Sequence, residues 1–130
     1  MKNTKKVLLF HINKDKLSQI NALCKKMGLQ AVTVERRQYN ESLGALAGIQ
    51  GFSSSGKGYT GTDFPMEMMV FSGIPSVELD TLLAAYRREG IPPVPLKAIL
   101  TPHNVFWTAG KLYEELMKEY LHETENSHLR

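Results

Sequence analysis

The side chains best suited to acid–base chemistry and anion binding are concentrated in residues 95–107, PLKAILTPHNVFW. We expect this segment to turn from a strand into a helix, and the N-terminal end of a helix favours anions. In such a turn His103 can serve as a base and Lys97 as an anion anchor. The candidate ligand-binding residues of the segment are Lys97, Thr101, His103, Asn104 and Trp107.

A structural role for these same residues is the favoured interpretation. Thr101-Pro102 is a dipeptide that initiates turns, and Asn104 is suited to bond the backbone amides of that turn. Trp107 is placed to pack against Leu112 at the start of a helix capped by Thr108. The sequence leaves both interpretations open.

A second candidate lies in the polar segment Gly51 to Thr62, GFSSSGKGYTGT, which contains most of a phosphate-binding P-loop pattern. Gly58 stands where a Ser or Thr should hold magnesium, and no predicted buried strand precedes the loop. We therefore expect a flexible loop and no nucleotide P-loop. An anion nest that uses Lys57 remains an alternative, which makes Lys57 the sixth candidate residue.

The other reactive residues are isolated in the sequence. His11 ends the first predicted strand, where a lone histidine is more often packed and hydrogen-bonded than a ligand. Cys24 lies on the apolar stripe of a predicted helix, which indicates a small buried hydrophobic residue. No metal-ligand spacing and no recognisable Ser-His-Asp arrangement is present, so we expect no metal and no cofactor.

The strands and helices that position these side chains are predicted from a sequence pattern that occurs twice, about 62 residues apart. Val7-Leu8-Leu9 aligns with Met69-Val70-Phe71, and Gly28 aligns with Gly90. Each copy predicts an apolar strand, an amphipathic helix that a glycine ends, and a second strand. The pattern predicts an α+β protein with a ferredoxin-like βαββαβ sandwich and an extra C-terminal helix.

This fold prediction carries specific boundaries and strand positions. We expect the first and third strands to be central and parallel, and the proline-flanked fourth strand to lie at an edge. One face of the sheet would be bare unless the last helix or a second subunit covers it. The expected organisation is a single domain over 1–123, made of a first βαβ unit at 5–36, a flexible insert at 37–65, a second unit at 66–101 and a helix at 108–123, followed by a tail at 124–130.

Composition and charge limit the classes of function. The chain is 42% hydrophobic and 22% charged, as expected of a folded globular domain. Residues 1–37 carry nine Lys/Arg and two Asp/Glu, so the basic bias belongs to the first unit. The predicted strands lack the aromatic pattern of RNA-binding sheets, which makes nucleic acid an unlikely partner. A single cysteine and no apolar run of membrane-spanning length favour a cytoplasmic protein without membrane association.

The second half of the chain resembles a bacterial family known only as a domain of unknown function. The motifs are Phe71-Ser72-Gly73, Pro95 to Ala98, Leu100-Thr101, Asn104, Trp107-Thr108 and Leu112 to Leu116, within residues 65–120. This resemblance implies no activity. The first half, KVLLFHINKDKLSQINALCKKMGLQAVTVE, is more weakly similar to PII-like signalling proteins, which implies a ferredoxin-like fold and nucleotide binding between subunits.

We therefore expect a regulatory or binding module that is not an enzyme and acts as a homo-oligomer. The first alternative is PII-like binding of a nucleotide or another anionic small molecule at a cleft between subunits. The second is a small enzyme that uses His103 and Lys97.

Overall fold

A computed structural model of the protein describes residues 5–128. Its strands and helices follow the predicted order, with one short helix and two 3₁₀ turns added. They are β1 (Lys6–Phe10), α1 (Lys14–Lys26), β2 (Gln30–Val34), a 3₁₀ turn (Arg36–Gln38), α2 (Leu43–Leu46), β3 (Met68–Ser72), α3 (Ser76–Arg88), β4 (Leu96–Ile99), a 3₁₀ turn (Asn104–Phe106) and α4 (Ala109–His128).

Local signals set the ends of α1 as the sequence predicts. The Asn13 side chain accepts a hydrogen bond from the Asp15 amide at 3.0 Å and so caps the helix. Gly28 follows the helix with φ +71°, a conformation that glycine adopts without strain. In α3 the cap position falls on Pro75 and Ser76 is the first helical residue, so this helix begins without a side-chain cap.

The four strands form one sheet in the order β2-β1-β3-β4. β1 pairs with β2 in parallel, β3 pairs with β4 in parallel, and the central pair β1 and β3 is antiparallel. The central positions of β1 and β3 and the edge position of β4 agree with prediction, whereas the predicted parallel orientation of β1 and β3 is wrong.

The ferredoxin-like topology is not confirmed by this strand order. A split βαβ unit requires a strand of the other unit between its own two strands. Here each unit keeps its two strands adjacent, and the two units meet along β1 and β3. The fold is therefore an α+β arrangement built on a mixed four-stranded sheet with four helices.

Helices α1 and α3 pack on one face of the sheet, and we call the hydrophobic cluster between them and the sheet the first core. Alternate residues of the central strands point into it, as the two-residue period of a strand requires. Its buried members include Val7, Leu9, Ile20, Leu23, Cys24, Met69, Phe71, Leu79, Leu82 and Tyr86.

The insert at 37–65 and helix α4 cover the opposite face, and we call the cluster there the second core. Three aromatic rings stack in it: the Tyr39 and Phe64 centroids are 3.9 Å apart, and those of Phe64 and Tyr113 are 4.2 Å apart. Its other buried members include Leu8, Phe10, Leu43, Ala47, Met68, Val70, Leu96, Ala109 and Leu112. This face is therefore covered within the chain, and Tyr39, Leu43 and Phe64 of the insert pack into the second core.

One boundary also differs from expectation. Helix α4 continues to His128, beyond the expected end at residue 123, while positions 129–130 of the expected tail lie outside the described residues. Within the described part of the chain, no helix combines the length and apolar character needed to cross a membrane.

Candidate functional site

Lys97 and His103 lie on opposite sides of the sheet. Lys97 pairs in register with Met69, whose side chain belongs to the first core, and its Nζ donates to the Val94 carbonyl at 2.9 Å. The His103 ring contacts the edge of Trp107 at a centroid distance of 5.3 Å, and Trp107 packs against the second core. Their side chains therefore do not converge on one substrate, so this geometry gives no support to an enzyme that uses this pair.

Thr101 and Asn104 build the turn that follows β4. Oδ1 of the buried Asn104 accepts from the Thr101 amide at 2.8 Å, and its Nδ2 donates to the Ile99 carbonyl at 3.0 Å. The Thr101 hydroxyl accepts in turn from the Asn104 amide at 3.0 Å. These side chains are occupied by the backbone of their own turn, which is the structural role that the sequence favours.

Trp107 also serves the fold. Its carbonyl accepts a hydrogen bond from the Leu43 amide at 2.8 Å, which ties the insert to the segment before α4. The Lys111 ammonium lies 5.1 Å from the centroid of its ring, within cation–π range. The segment 97–107 therefore contains structural contacts and no convergent group of ligand-binding side chains.

The glycine-rich loop binds an anion that belongs to the protein itself. The Glu41 carboxylate accepts from the Ser55 amide at 2.6 Å and from the Ser54 hydroxyl at 2.9 Å. The hydrogen bond from the Ser55 amide is the main reason that the pKa of Glu41 lies below its usual value. The Glu41 carboxylate therefore occupies the loop amides that an anion nest would offer to a ligand. Lys57, two residues after Ser55 in the chain, is exposed.

The structure brings together three residues that the sequence does not link: His11, Tyr39 and Asp63. Oδ2 of Asp63 lies 3.0 Å from Nδ1 of His11, and Oδ1 accepts from the Tyr39 hydroxyl at 2.5 Å and from the Phe64 amide at 2.8 Å. The result is a chain of hydrogen bonds that ends at the His11 ring.

The pKa values of this cluster are shifted in opposite directions. Burial by itself raises the pKa of Asp63, but the hydrogen bonds from Tyr39, His11 and the Phe64 amide outweigh burial and lower that pKa. Burial raises the pKa of Tyr39, and the hydrogen bond to Asp63 raises it further. Tyr39 is therefore a neutral donor and Asp63 an ionised acceptor at neutral pH.

The cluster lies where β1 and β2, which run parallel, both end. Ligands of sheets with parallel strands bind in the crevice beyond the carboxyl ends of those strands. His11 directly follows β1, and Glu35 and Arg36 directly follow β2. This position directly after a buried strand is the one signal in the sequence that could have identified His11 as a candidate site residue. The sequence contains no such signal for Tyr39 and Asp63, because both lie in the insert.

A cleft of about 280 Å³ opens at this edge of the sheet, and we call it the His11 cleft. One wall is apolar and is formed by Leu9, Ile12 and Leu17. The polar residues that line the cleft are His11, Thr33, Glu35, Arg36, Tyr39 and Asp63. Among the described residues no group of three His, Cys, Asp or Glu side chains is placed to hold a metal ion.

The charges of the cleft are unequally compensated. Glu35 accepts from Nε of Arg37 at 2.8 Å, and Asp63 is engaged by Tyr39 and His11. Arg36 also lines the cleft, and within residues 5–128 its side chain forms no hydrogen bond or ion pair. The cleft therefore offers one guanidinium whose hydrogen-bond donors have no partner in the described part of the chain.

Residues 67–121 match the model of a family described as a domain of unknown function, DUF3783. The match confirms the predicted resemblance of residues 65–120 to an uncharacterised family, and it covers less than half of the chain. It includes β3, α3, β4 and most of α4, whereas His11, Arg36, Tyr39 and Asp63 lie outside it. No curated protein and no solved structure matches the chain.

Proposed function

We propose that this chain is a regulatory or binding module whose ligand is a small anionic molecule held in the His11 cleft. The observation that carries the proposal is Arg36, a guanidinium that has no hydrogen-bond partner among residues 5–128 and lies at the carboxyl ends of two parallel strands. A guanidinium binds carboxylates and phosphates through two parallel hydrogen bonds, which suits it to anchor such a ligand.

The two carboxylates of the cleft do not oppose this assignment. Arg37 lies next to Glu35 and compensates its charge, while the Asp63 oxygens accept hydrogen bonds from Tyr39 and the Phe64 amide. Arg36 keeps its hydrogen-bond donors available because the oxygens of these carboxylates are held by other donors. The apolar wall of Leu9, Ile12 and Leu17 supports a ligand with a short apolar part beside its anionic group.

Exchange of Arg36 tests this proposal against a matched control. Thermal-shift measurements with carboxylates, phosphate esters and nucleotides near a millimolar should identify a stabilising ligand, since a ligand at a hundred times its Kd adds about 2.7 kcal/mol. R36Q should lose that stabilisation, whereas R88Q removes the same charge from an exposed residue of α3 outside the cleft and should keep it. Equal stabilisation of R36Q and the wild type, or of neither by any ligand, would overturn the proposal.

We also propose that the chain forms a homo-oligomer, for which the middle of α4 provides the support. Leu116 and Met117 are half-buried against the second core, and Leu121 further along the helix is 54% exposed. With the sheet covered on both faces, this helix is the surface through which two copies would associate. Sedimentation velocity on the wild type and on L121E tests it: a monomeric wild type at millimolar concentration rules it out.

The cytoplasmic location remains a proposal. It is supported by the single cysteine, Cys24, whose buried thiol would persist in a reducing compartment.

A further inference from the structure

We propose that the His11 cleft is also a proton-transfer site, in which His11 is the general base and the substrate is a short-chain 2-oxo carboxylic acid. The inference rests on the anion site proposed above, because Arg36 would hold the substrate carboxylate.

The hydrogen bonds around His11 hold one nitrogen of the ring and leave the other available. Nδ1 lies 3.0 Å from Asp63 Oδ2, so a proton on Nδ1 leaves the lone pair on Nε2. Asp63 is itself fixed through its other oxygen by the Tyr39 hydroxyl and the Phe64 amide. A base that a carboxylate orients in this way is the arrangement that activates histidine in enzymes.

The backbone of His11 supports a role beyond packing. Of the non-glycine residues in the described part of the chain, His11 alone has positive φ, at 57°. Such a conformation is unfavourable for a residue with a side chain and persists where the surrounding contacts determine it. Here it directs the ring toward Asp63 at the mouth of the cleft, and the side chain stays partly exposed.

The lining of the cleft indicates the class of chemistry and substrate. Its reactive group with the best-defined orientation is His11, whose Nδ1 faces Asp63, so the reaction that the lining supports is movement of a proton. Imidazole is a weak base and removes a proton from carbon where a neighbouring group such as a carbonyl acidifies the C–H bond. A carboxylate for Arg36, an adjacent carbonyl and a short alkyl part against Ile12 and Leu17 together describe a 2-oxo acid.

The proposed reaction consists of proton transfers only. Nε2 of His11 takes a proton from the carbon next to the carbonyl, and the electron pair of the broken C–H bond forms the enolate. The Arg36 guanidinium stabilises the negative charge that develops on the carbonyl oxygen. The imidazolium then returns its proton to the enolate oxygen or to carbon, which completes a tautomerisation without any oxidant or reductant.

The test uses 2-oxobutyrate and pyruvate as probes with the full-length protein. Exchange of the protons next to the carbonyl in D₂O is followed by ¹H NMR, and binding is followed by amide chemical shifts of the cleft residues. Wild-type protein should accelerate exchange at least about 100-fold over equimolar imidazole. H11N should abolish the acceleration while keeping the fold, because asparagine tolerates positive φ better than most residues.

The control is H103Q, which removes a histidine outside the cleft and should leave exchange unchanged. Asp63 is a positioning residue, so D63N should lower the exchange rate and change the ¹⁵N shifts that report the His11 tautomer. A merely structural Asp63 would change stability and leave the tautomer as it is. Binding of 2-oxobutyrate without accelerated exchange overturns proton transfer alone, whereas absence of binding by every small anion overturns the anion site as well.

Discussion

The Asp63 carboxylate joins the end of the insert to the end of β1, because its Oδ2 lies 3.0 Å from Nδ1 of His11. Its second oxygen accepts from the hydroxyl of Tyr39 near the start of the insert. The Asp63 side chain therefore connects both ends of the insert at the mouth of the His11 cleft. The shape of the cleft thus depends on how the insert folds.

Replacement of Asp63 should lower stability in a manner that depends on pH. D63N should reduce the free energy of unfolding by about 1–2 kcal/mol at pH 7, the low end for charged hydrogen bonds because the side chain is 40% exposed. The pKa of Asp63 is lower in the folded state than the unfolded value of about 3.9. The contribution is therefore present above about pH 3.9 and is lost as the pH falls through the folded pKa.

Urea unfolding of the wild type and D63N between pH 3 and 7 measures this contribution. The difference between them should shrink below about pH 4. Equal stability at pH 7 would contradict the role assigned to the carboxylate.

Asn104 should be far more important for stability than its neighbour His103. N104A removes a buried side chain and leaves the Thr101 amide and the Ile99 carbonyl without this partner; it should cost about 1–2 kcal/mol, because Ile99 and Thr101 are themselves exposed to solvent. H103A removes an exposed ring and should stay within about 0.5 kcal/mol of wild type. Chemical denaturation of both variants gives the comparison, and similar losses would show that the turn does not depend on the Asn104 amide.

Gly44 should not tolerate a methyl group, although it lies in a helix. A Cβ at this position would approach the Phe52 ring to 2.6 Å, so G44A should destabilise by about 1–2 kcal/mol despite its better helix propensity. In α4 a Cβ at Gly110 would meet its nearest atom at 3.9 Å, so G110A is the matched control and should be neutral or stabilising.

The Phe52 contact can be isolated with a second substitution. G44A should cost less in an F52A background than in the wild type, because the clash is then removed. An equal cost in both backgrounds, measured by thermal unfolding, would mean that another neighbour opposes the methyl group.

The Cys24 thiol should be inert in the folded protein. Burial raises the pKa of Cys24 to about 11, so at pH 8 its thiolate is about 100-fold scarcer than in the unfolded chain. Because the pKa of Cys24 is higher in the folded state, the unfolded chain loses the thiol proton first. The free energy of unfolding is therefore unaffected below the unfolded pKa and decreases as the pH rises from there toward 11. Reaction with a disulfide reagent should be slow in buffer and fast in urea, and equal rates would contradict burial on α1.

Local patterns in the sequence predicted the two βαβ units well. The apolar strands, the stripe of α1 that contains Cys24, the Asn13 cap and the glycine ends of the helices depend on residues close together in the chain. The edge position of β4 was predictable for a similar reason, since prolines before a strand remove ladder donors.

The relation between the two units was not predictable from the same patterns. A central strand buried on both faces is a continuous apolar run, and such a run is compatible with either orientation of its neighbour. The sequence repeat therefore left the orientation of β1 against β3 undecided. The packing of Tyr39, Leu43 and Phe64 into the second core was not predictable, because these residues follow no helical or strand period.

The sequence by itself determined the elements, their order and their buried faces, because these depend on interactions within a few turns or strands. Only the tertiary structure decided which polar residues meet. It separated Lys97 from His103, which are near in sequence, by placing them on opposite sides of the sheet. It joined His11, Tyr39 and Asp63, which are far apart in sequence, because packing of the insert against the second core brings them to one edge.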